Sequence, residues 1–166
     1  MDEIDLIILK ELQKNSRKPL NEISRSANLS MSAVSERIRK LECERIIKQY
    51  AAILDPEKFG KTLTCFCFVS LEGKSEKTDG RFYEFIRNEP DIISCHCLTG
   101  HYEYLLKITT GSTKSLESLL AKMRHGALVK LTNTYVVLST VKDLPSVPPA
   151  AAAEPDVKKS RRAKYG

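Results

Sequence analysis

The sequence predicts an α+β protein in which three short helices precede a two-layer sandwich. Between residues 3 and 44, apolar side chains recur every three or four positions, which is the period of helices buried on one face. From residue 61 onward the predicted order is βαββαβ, which is that of a ferredoxin-like sandwich. We therefore expect an N-terminal domain over residues 1–60, a ferredoxin-like domain over 61–144 and a tail over 145–166.

The first three helices begin and end at recognisable residues. Asp2 or Asp5 can cap the first helix, and Pro19 prevents its continuation because proline lacks an amide donor. The expected elements that follow are a helix over about 21–27, a turn over 28–30, a helix over about 31–44 and an extended segment over 46–54. Two helices joined by a tight turn and followed by an extended segment predict a winged helix-turn-helix, with residues 46–54 as the wing and connector.

The expected sandwich elements are strands over 63–71, 92–98, 102–109 and 131–141 and helices over 77–88 and 115–123. The strand segments are rich in β-branched and aromatic residues, whereas the helical segments have apolar residues three or four positions apart. In the ferredoxin-like order, the third strand lies between the first and the second.

The third helix has one apolar and one polar face. Val34, Ile38 and Leu41 are spaced to point inward. Residues 17–48 contain eight basic and four acidic side chains. This excess of positive charge favours a DNA-binding helix over the alternative, an amphipathic helix whose polar face is only solvated. Arginine can read guanine edges, while lysine and short hydroxyls suit phosphates. The expected DNA-binding residues are Arg25, Ser30, Ser32, Ser35, Glu36, Arg37, Arg39, Lys40 and Lys48.

Composition narrows the class of protein. The formal charge of +6 favours an acidic partner such as double-stranded DNA. No apolar run approaches the roughly 20 residues that span a bilayer, and the first residues include acids rather than a cationic leader. Five cysteines, an odd number, favour a reducing compartment over a disulfide framework. We expect a cytoplasmic protein.

The cysteines allow a metal- or thiol-dependent alternative. Cys65 and Cys67, like Cys95 and Cys97, are two residues apart on strands, so each pair shares one face. Because a third strand separates the two pairs by about 10 Å, packing in the core is favoured, and we expect no metal ion and no cofactor. His96 is expected to be structural. The acids are scattered and no nucleophile has a base partner in a motif, so we expect no enzyme activity.

Several ordered blocks resemble the Lrp/AsnC, or feast/famine, family of transcriptional regulators. They are residues 5–9 with 12–13, 20–24, 29–30, 36–42, 46–47, 50–52, 95–96, 100–107 and 134–138, within a likeness that covers about residues 2–144. The resemblance implies a winged helix-turn-helix followed by a RAM-type sandwich. It also implies a homodimer, often assembled into higher oligomers such as octamers.

The resemblance further implies that a small effector, commonly an amino acid, binds between sandwich domains of neighbouring subunits. Gly100 would let backbone amides approach a ligand carboxylate, and Glu103 would pair with an ammonium. The alternative is that Gly100 only forms a hairpin turn. Glu103 stands where the family often has Asp, and residues 125–129 lack the usual proline–glycine. The effector residues that the resemblance implies are Leu98, Thr99, Gly100, His101, Tyr102, Glu103, Tyr104, Thr132 and Thr134.

The tail is rich in proline and alanine, and basic residues cluster over 158–164. Such a segment cannot form a packed core, so we expect it to be disordered, and it either adds nonspecific attraction for DNA or only aids solubility. The expected function is a sequence-specific, oligomeric DNA-binding transcriptional regulator that is modulated by an amino acid or related metabolite. Two alternatives stay open: a metal- or thiol-responsive regulator, and an architectural DNA-binding protein of low specificity.

Overall fold

A computed structural model of the chain describes residues 1–73, 76–127 and 129–149, which divide into two compact units. The first unit is Met1–Ala52 together with the described residues from Asp143 onward, and the second is Ile53–Lys142. The basic cluster expected in the tail lies outside the described residues. No helix in the described part of the chain combines the length and the apolar character that a membrane span requires.

The first unit contains three helices: α1 (Glu3–Lys14), α2 (Leu20–Ala27) and α3 (Met31–Cys43). α1 begins with a capping box, in which the side chains of Asp2 and Asp5 each accept a hydrogen bond from the other's backbone amide. These reciprocal bonds satisfy two of the amides that a helix start leaves unpaired. The expected helix starts and ends agree with the structure to within a residue or two.

One apolar core holds the three helices together. The inward face expected for α3 is confirmed, because Val34 and Leu41 are buried and Ile38 packs against the same cluster. Burying an aliphatic side chain of this size contributes roughly 1.5–3 kcal/mol to the free energy of folding. The burial of this apolar face therefore determines which face of α3 points outward. The buried members of this core are Ile8, Ile23, Ala27, Val34 and Leu41.

The wing strand expected over residues 46–54 is wrong, because this segment, all of it described, forms no strand. Instead the chain turns back on α3 at Arg45, whose φ of 56° is left-handed. The Arg45 amide donates to the Glu42 carbonyl and the Ile46 amide to the Leu41 carbonyl, both at 2.9 Å. This is the Schellman arrangement, which satisfies carbonyls at a helix C-terminus. Because the Ile46 amide bonds to the end of α3, the first residue of the expected strand cannot use it to pair with another strand.

The second unit is a two-layer α+β sandwich, as expected. Its elements are β1 (Leu63–Leu71), α4 (Glu76–Asn88), β2 (Ile92–Cys97), β3 (Tyr104–Thr110), α5 (Thr113–Gly126) and β4 (Val129–Val136), preceded by a short 3-10 turn over Pro56–Phe59. The sheet is antiparallel with the order β2-β3-β1-β4, which confirms the ferredoxin-like arrangement with β3 between β1 and β2.

β4 ends at Val136 and not at Val141 as the apolar pattern suggested. β4 pairs only with β1, and its last paired residue, Val136, lies opposite Cys65. One further bond joins the Val137 amide to the Thr64 carbonyl at 2.9 Å, after which β1 has almost no backbone left to pair with. Strand length in this sheet is therefore set by the partner, which a single segment of sequence does not reveal.

The two faces of the sheet differ in what covers them. On the helix-covered face, alternate β1 residues are buried with Phe82 of α4 and with Leu116, Leu119 and Met123 of α5. The other face carries large apolar side chains that no element of the described second unit covers: Phe66 is 37% exposed, Leu131 45% and Tyr135 56%.

Candidate functional sites

The outward face of α3 is a continuous polar surface. Ser32, Ser35, Glu36, Arg39 and Lys40 are all exposed, on the side of the helix opposite the buried stripe. The Lys40 ammonium lies 3.8 Å from a carboxylate oxygen of Glu44 one turn further along, but such an exposed pair contributes little energy. This surface can therefore present donors and acceptors to an external partner without breaking the fold.

The N-terminal end of α3 lies at one end of this surface. Ser30 caps the helix through a bond from the Ala33 amide to its hydroxyl at 3.2 Å, as expected, and its Oγ lies 3.0 Å from the Oγ of Ser32. A helix N-terminus with exposed hydroxyls favours phosphate oxygens. Arg25 of α2 and Lys48 after α3 are also exposed in the same unit.

Arg37 is placed differently from the other expected DNA-binding residues. Its Nη1 donates to Oδ2 of Asp2 and to Oδ1 of Asp5, both at 2.7 Å. These two bonds raise the pKa of the Arg37 guanidinium. The Asp5 amide and then the guanidinium lower the pKa of the Asp2 carboxyl. The structure thus separates Arg37 from the outward row and joins it to α1.

A cavity of about 440 Å³ lies where the start of α1 meets α3, and it is lined by Met1, Asp2, Asp5, Ala33, Glu36, Arg37 and Lys40. The sequence pattern indicates the two aspartates only as helix caps. The partners are more than 30 residues apart in the chain, so no local pattern reveals the pairing.

The turn between β2 and β3 is the candidate effector site in the second unit. The Leu98 amide donates to the Glu103 carbonyl at 2.7 Å, and the Glu103 amide donates to the Val69 carbonyl at 3.0 Å. Between them, Gly100 has a φ of 127°, a conformation that side-chain-bearing residues rarely adopt. The backbone of a short exposed turn, which includes Thr99 and His101, is therefore fixed at both ends.

The remaining expected effector residues divide into two groups. Tyr102 stays with the turn, where its ring centroid lies 4.8 Å from that of His101 and 5.5 Å from that of Phe68. Tyr104 is buried and its hydroxyl lies 3.0 Å from that of Tyr83, so the structure directs this ring into the sandwich.

The two expected threonines lie on β4, which β1 separates from the strand that follows the turn. Thr132 is opposite Val69, and the hydroxyl of Thr134 donates to Sγ of Cys67 at 3.3 Å. Thr134 thus bonds inside the sandwich, and within this one chain the structure does not bring it to the turn.

The cysteines are of interest because the sequence leaves a metal- or thiol-dependent alternative open. Among the residues that the structure describes, no three metal-binding side chains are grouped. Cys65 and Cys67 are buried, and burial raises the pKa of the Cys65 thiol to about 11 and also raises the pKa of the Cys67 and Cys95 thiols. Thiols held protonated are poor nucleophiles and poor metal ligands, which agrees with a packing role for these three.

Two models of known protein families match this chain. The AsnC-type helix-turn-helix domain matches residues 1–42, and the Lrp/AsnC ligand binding domain matches residues 64–147. The first match contains α1, α2 and most of α3, and the second contains all four strands of the sandwich except the first residue of β1.

Curated relatives and solved structures give the same picture. The HTH-type transcriptional regulator FL11 of Pyrococcus horikoshii is 34% identical over 151 residues, which cover 89% of this chain and 96% of the relative. The transcriptional regulator NMB0573 of Neisseria meningitidis, solved as an L-Met complex, is 31% identical with a TM-score of 0.84 and covers 89% of this chain and 96% of that one. A feast or famine regulatory protein of Mycobacterium tuberculosis, complexed with L-methionine, is 29% identical with a TM-score of 0.78 and covers 89% and 99%.

Proposed function

We propose, from the premise that this chain belongs to the Lrp/AsnC family of DNA-binding transcriptional regulators, that α3 reads a specific DNA sequence and that the sandwich binds an amino acid. The family consists of regulators and not of enzymes. The observation that carries the DNA-reading part is the exposed row of hydroxyls and charges on α3, directly opposite the buried Val34 and Leu41.

Each side chain on this surface suits a particular DNA group. Arg39 has the planar fork that pairs with the O6 and N7 acceptors of guanine, and Glu36 can accept from the cytosine amino group. Lys40, Arg25 and Lys48 suit phosphates, which position the protein without reading sequence. Ser32 and Ser35 can bond to either a base edge or a phosphate, and Ser30 presents the helix N-terminus to a phosphate.

The test is the affinity of an Arg39→Ala variant for two DNA duplexes of equal length at one salt concentration. One duplex is selected from a random library by the wild-type protein, and the other has a random sequence. Losing one base-reading arginine should weaken binding to the selected duplex by about tenfold or more. Lys10→Ala, which removes an exposed positive charge from α1, is the matched control and should affect both duplexes slightly and equally. An unchanged ratio of the two affinities in Arg39→Ala would refute the assignment.

The proposed effector site is the turn between β2 and β3, with the amides of residues 99–101 meeting a carboxylate and Glu103 meeting an ammonium. Support comes from the fixed turn around Gly100 and from the two structural neighbours that were solved with L-methionine. The test is thermal unfolding with each L-amino acid, beginning with L-methionine, because a ligand that binds only the native state raises its stability. Glu103→Gln should abolish the shift, whereas Glu117→Gln on the exposed side of α5 should preserve it.

The proposed assembly is a homodimer formed through the open face of the sheet, with higher oligomers such as octamers bringing effector sites between subunits. Exposed Phe66, Leu131 and Tyr135 form an apolar surface of the kind that a second copy buries in an isologous contact. Dimers would present two copies of α3 to half-sites one or more helical turns apart. Sedimentation of Leu131→Lys should reveal monomers if the face is the interface. A variant that sediments like the wild type would place the interface elsewhere.

A cytoplasmic location also belongs to the proposal. All five cysteines are free thiols in the structure, although Cys65 and Cys67 lie two residues apart on one strand and face the same way. Free thiols in this number are typical of a reducing compartment.

A further inference from the structure

We propose that Arg37 is a positioning residue of the DNA-binding surface: it joins α3 to the first turn of α1 and so sets the rotation of α3 about its axis. The inference rests on the proposed role of α3 in reading DNA. It changes the role of Arg37 from the direct DNA contact expected from the sequence to an internal one.

The geometry of the contact suits this role. Nη1 of a guanidinium carries two hydrogens, and here one points to each carboxylate at 2.7 Å. Both carboxylates are themselves held by the backbone of α1, through the reciprocal bonds of the capping box at 2.9 Å each. Arg37 is therefore fixed against a rigid helix start and not against mobile side chains.

The location of Arg37 on α3 explains why it controls rotation. Successive residues on a helix are about 100° apart, so Arg37 lies beside the buried stripe of Val34 and Leu41 and next to the outward Glu36. The apolar stripe fixes which side of α3 faces the core, but hydrophobic contact has no direction and tolerates small rotations. Charge-assisted hydrogen bonds are directional and restrict that freedom.

The same cavity places this contact against the DNA-reading row. Glu36 and Lys40 line it together with Asp2, Asp5 and Arg37. A rotation of α3 that opened the contact would move Glu36 and Lys40 at the same time, because all three side chains belong to one helix. The affinity most sensitive to such a movement is that for a specific sequence, since base contacts need exact placement whereas phosphate attraction does not.

Two other possible roles for Arg37 both predict the opposite result from positioning. If the guanidinium only neutralises two carboxylates near DNA, removing those carboxylates should strengthen binding to every duplex. If Arg37 contacts a phosphate directly, removing the carboxylates should release it for that contact and should also strengthen binding. Positioning alone predicts that binding to a specific duplex weakens when two negative charges are removed.

The decisive variant is Asp2→Asn/Asp5→Asn. Asparagine still caps a helix, so α1 should persist while the charged acceptors of Arg37 are lost. The control, Glu3→Gln/Glu22→Gln, removes two negative charges from exposed positions of the same unit without touching Arg37. Affinities are measured for the duplex selected by the wild type and for a random-sequence duplex, at one salt concentration and at a temperature where thermal unfolding shows each variant to be folded.

Positioning predicts about a fivefold loss of affinity for the selected duplex in the aspartate variant, with binding to the random duplex equal or tighter. The control should bind both duplexes equally well or more tightly. Tighter binding of the aspartate variant to both duplexes would overturn the proposal.

Arg37 variants keep the proposal testable if the aspartate variant does not fold. Arg37→Gln should lose affinity for the selected duplex with no change in the slope of log affinity against log salt, and Arg37→Lys should recover part of the loss. A direct phosphate contact would instead reduce that slope by about one. A reduced slope in Arg37→Gln, or an unchanged affinity, would therefore overturn the positioning role.

Discussion

The outward face of α3 and the turn between β2 and β3 differ in what they present to a ligand. On α3, exposed side chains such as Arg39 and Lys40 stand on a regular helix whose orientation is set by buried residues on the opposite side. In the turn, the backbone itself is shaped, by bonds from the Leu98 and Glu103 amides and by the left-handed Gly100. The first surface suits the long groove of DNA, and the second suits a small molecule with a carboxylate.

This difference implies that different kinds of substitution should abolish binding at the two sites. The α3 surface should tolerate changes of backbone propensity but not changes of charge or of the core beneath it. The turn should tolerate changes of neighbouring side chains but not a residue that rejects a positive φ. The predictions that follow test this contrast, from the largest expected effect to the smallest.

Leu41→Ala should destabilise the first unit by about 2–5 kcal/mol, because Leu41 is 2% exposed and its loss leaves a cavity under α3. DNA binding should be lost with the unfolding of α3, as followed by circular dichroism during urea titration. Ile46→Ala, at a 41% exposed position beyond the same helix end, should cost about 1 kcal/mol or less. Equal losses in the two variants would contradict the burial argument.

Gly100→Ala should destabilise the second unit by about 1–3 kcal/mol, since alanine strains a backbone with a φ of 127° although its Cβ would meet no other atom. It should also abolish the stabilisation by an amino acid that the proposed effector site predicts. Binding of a single subunit's α3 to DNA uses none of these atoms. Gly126→Ala is the control, because its φ is ordinary and its Cβ would lie 3.9 Å from Phe85 in normal contact. Calorimetry with an amino acid that raises the stability of the wild type checks both variants, and a full ligand response in Gly100→Ala would exclude this turn as the site.

Leu41 and Gly100 also show how much of each site the sequence reveals. The spacing of apolar residues on α3 is a local pattern, so it predicts that Leu41 faces the core, and the outward row of α3 follows from it directly. The bonds that shape the turn depend on strand register, since Glu103 is held by Val69 of a different strand. Gly100 alone signalled that a special backbone conformation was needed there.

Two features escaped prediction because they depend on distant or unusual partners. The contact of Arg37 with Asp2 and Asp5 joins residues more than 30 positions apart. The wing strand that the structure lacks has a different cause. The left-handed residue that follows the end of α3 is Arg45 and not glycine, so the usual sequence signal for that helix end is missing.

Acidification should destabilise the second unit through Asp91, which holds Lys61 and Thr110 near the start of the sandwich. Burial alone would raise the pKa of Asp91, but bonds from Lys61 and Thr110 outweigh it and lower that pKa below 3.8. A lowered pKa in the folded state means that this stabilisation is present above pH 3.8 and is lost as the pH falls through the lower value.

Asp91→Asn should therefore make the free energy of unfolding of the second unit depend less on pH below about pH 4. The part of the pH dependence that comes from other groups should persist. Denaturant unfolding of the second unit at a series of pH values measures this. The control is Asp55→Asn, at an exposed turn ahead of the sandwich. If Asp91→Asn and the wild type lose stability in parallel as the pH falls, Asp91 is not the group responsible.

Glu44→Gln should produce the smallest effect. The Lys40–Glu44 pair is exposed at 3.8 Å, so its loss should change the stability of the first unit by about 0.5 kcal/mol or less. DNA affinity should rise slightly for selected and random duplexes alike, because one negative charge near the surface is removed. A large gain for the selected duplex alone would show that this pair restrains a base-reading side chain.

The most direct test of the central claim is an Arg39→Lys variant, compared with the wild type on selected and random duplexes at one salt concentration. Lysine keeps the charge of Arg39 but lacks the planar fork that grips two acceptors of guanine. If α3 reads sequence through Arg39, affinity for the random duplex should stay the same while affinity for the selected duplex falls about tenfold. Equal affinities for the selected duplex in variant and wild type would contradict sequence reading by this face of α3.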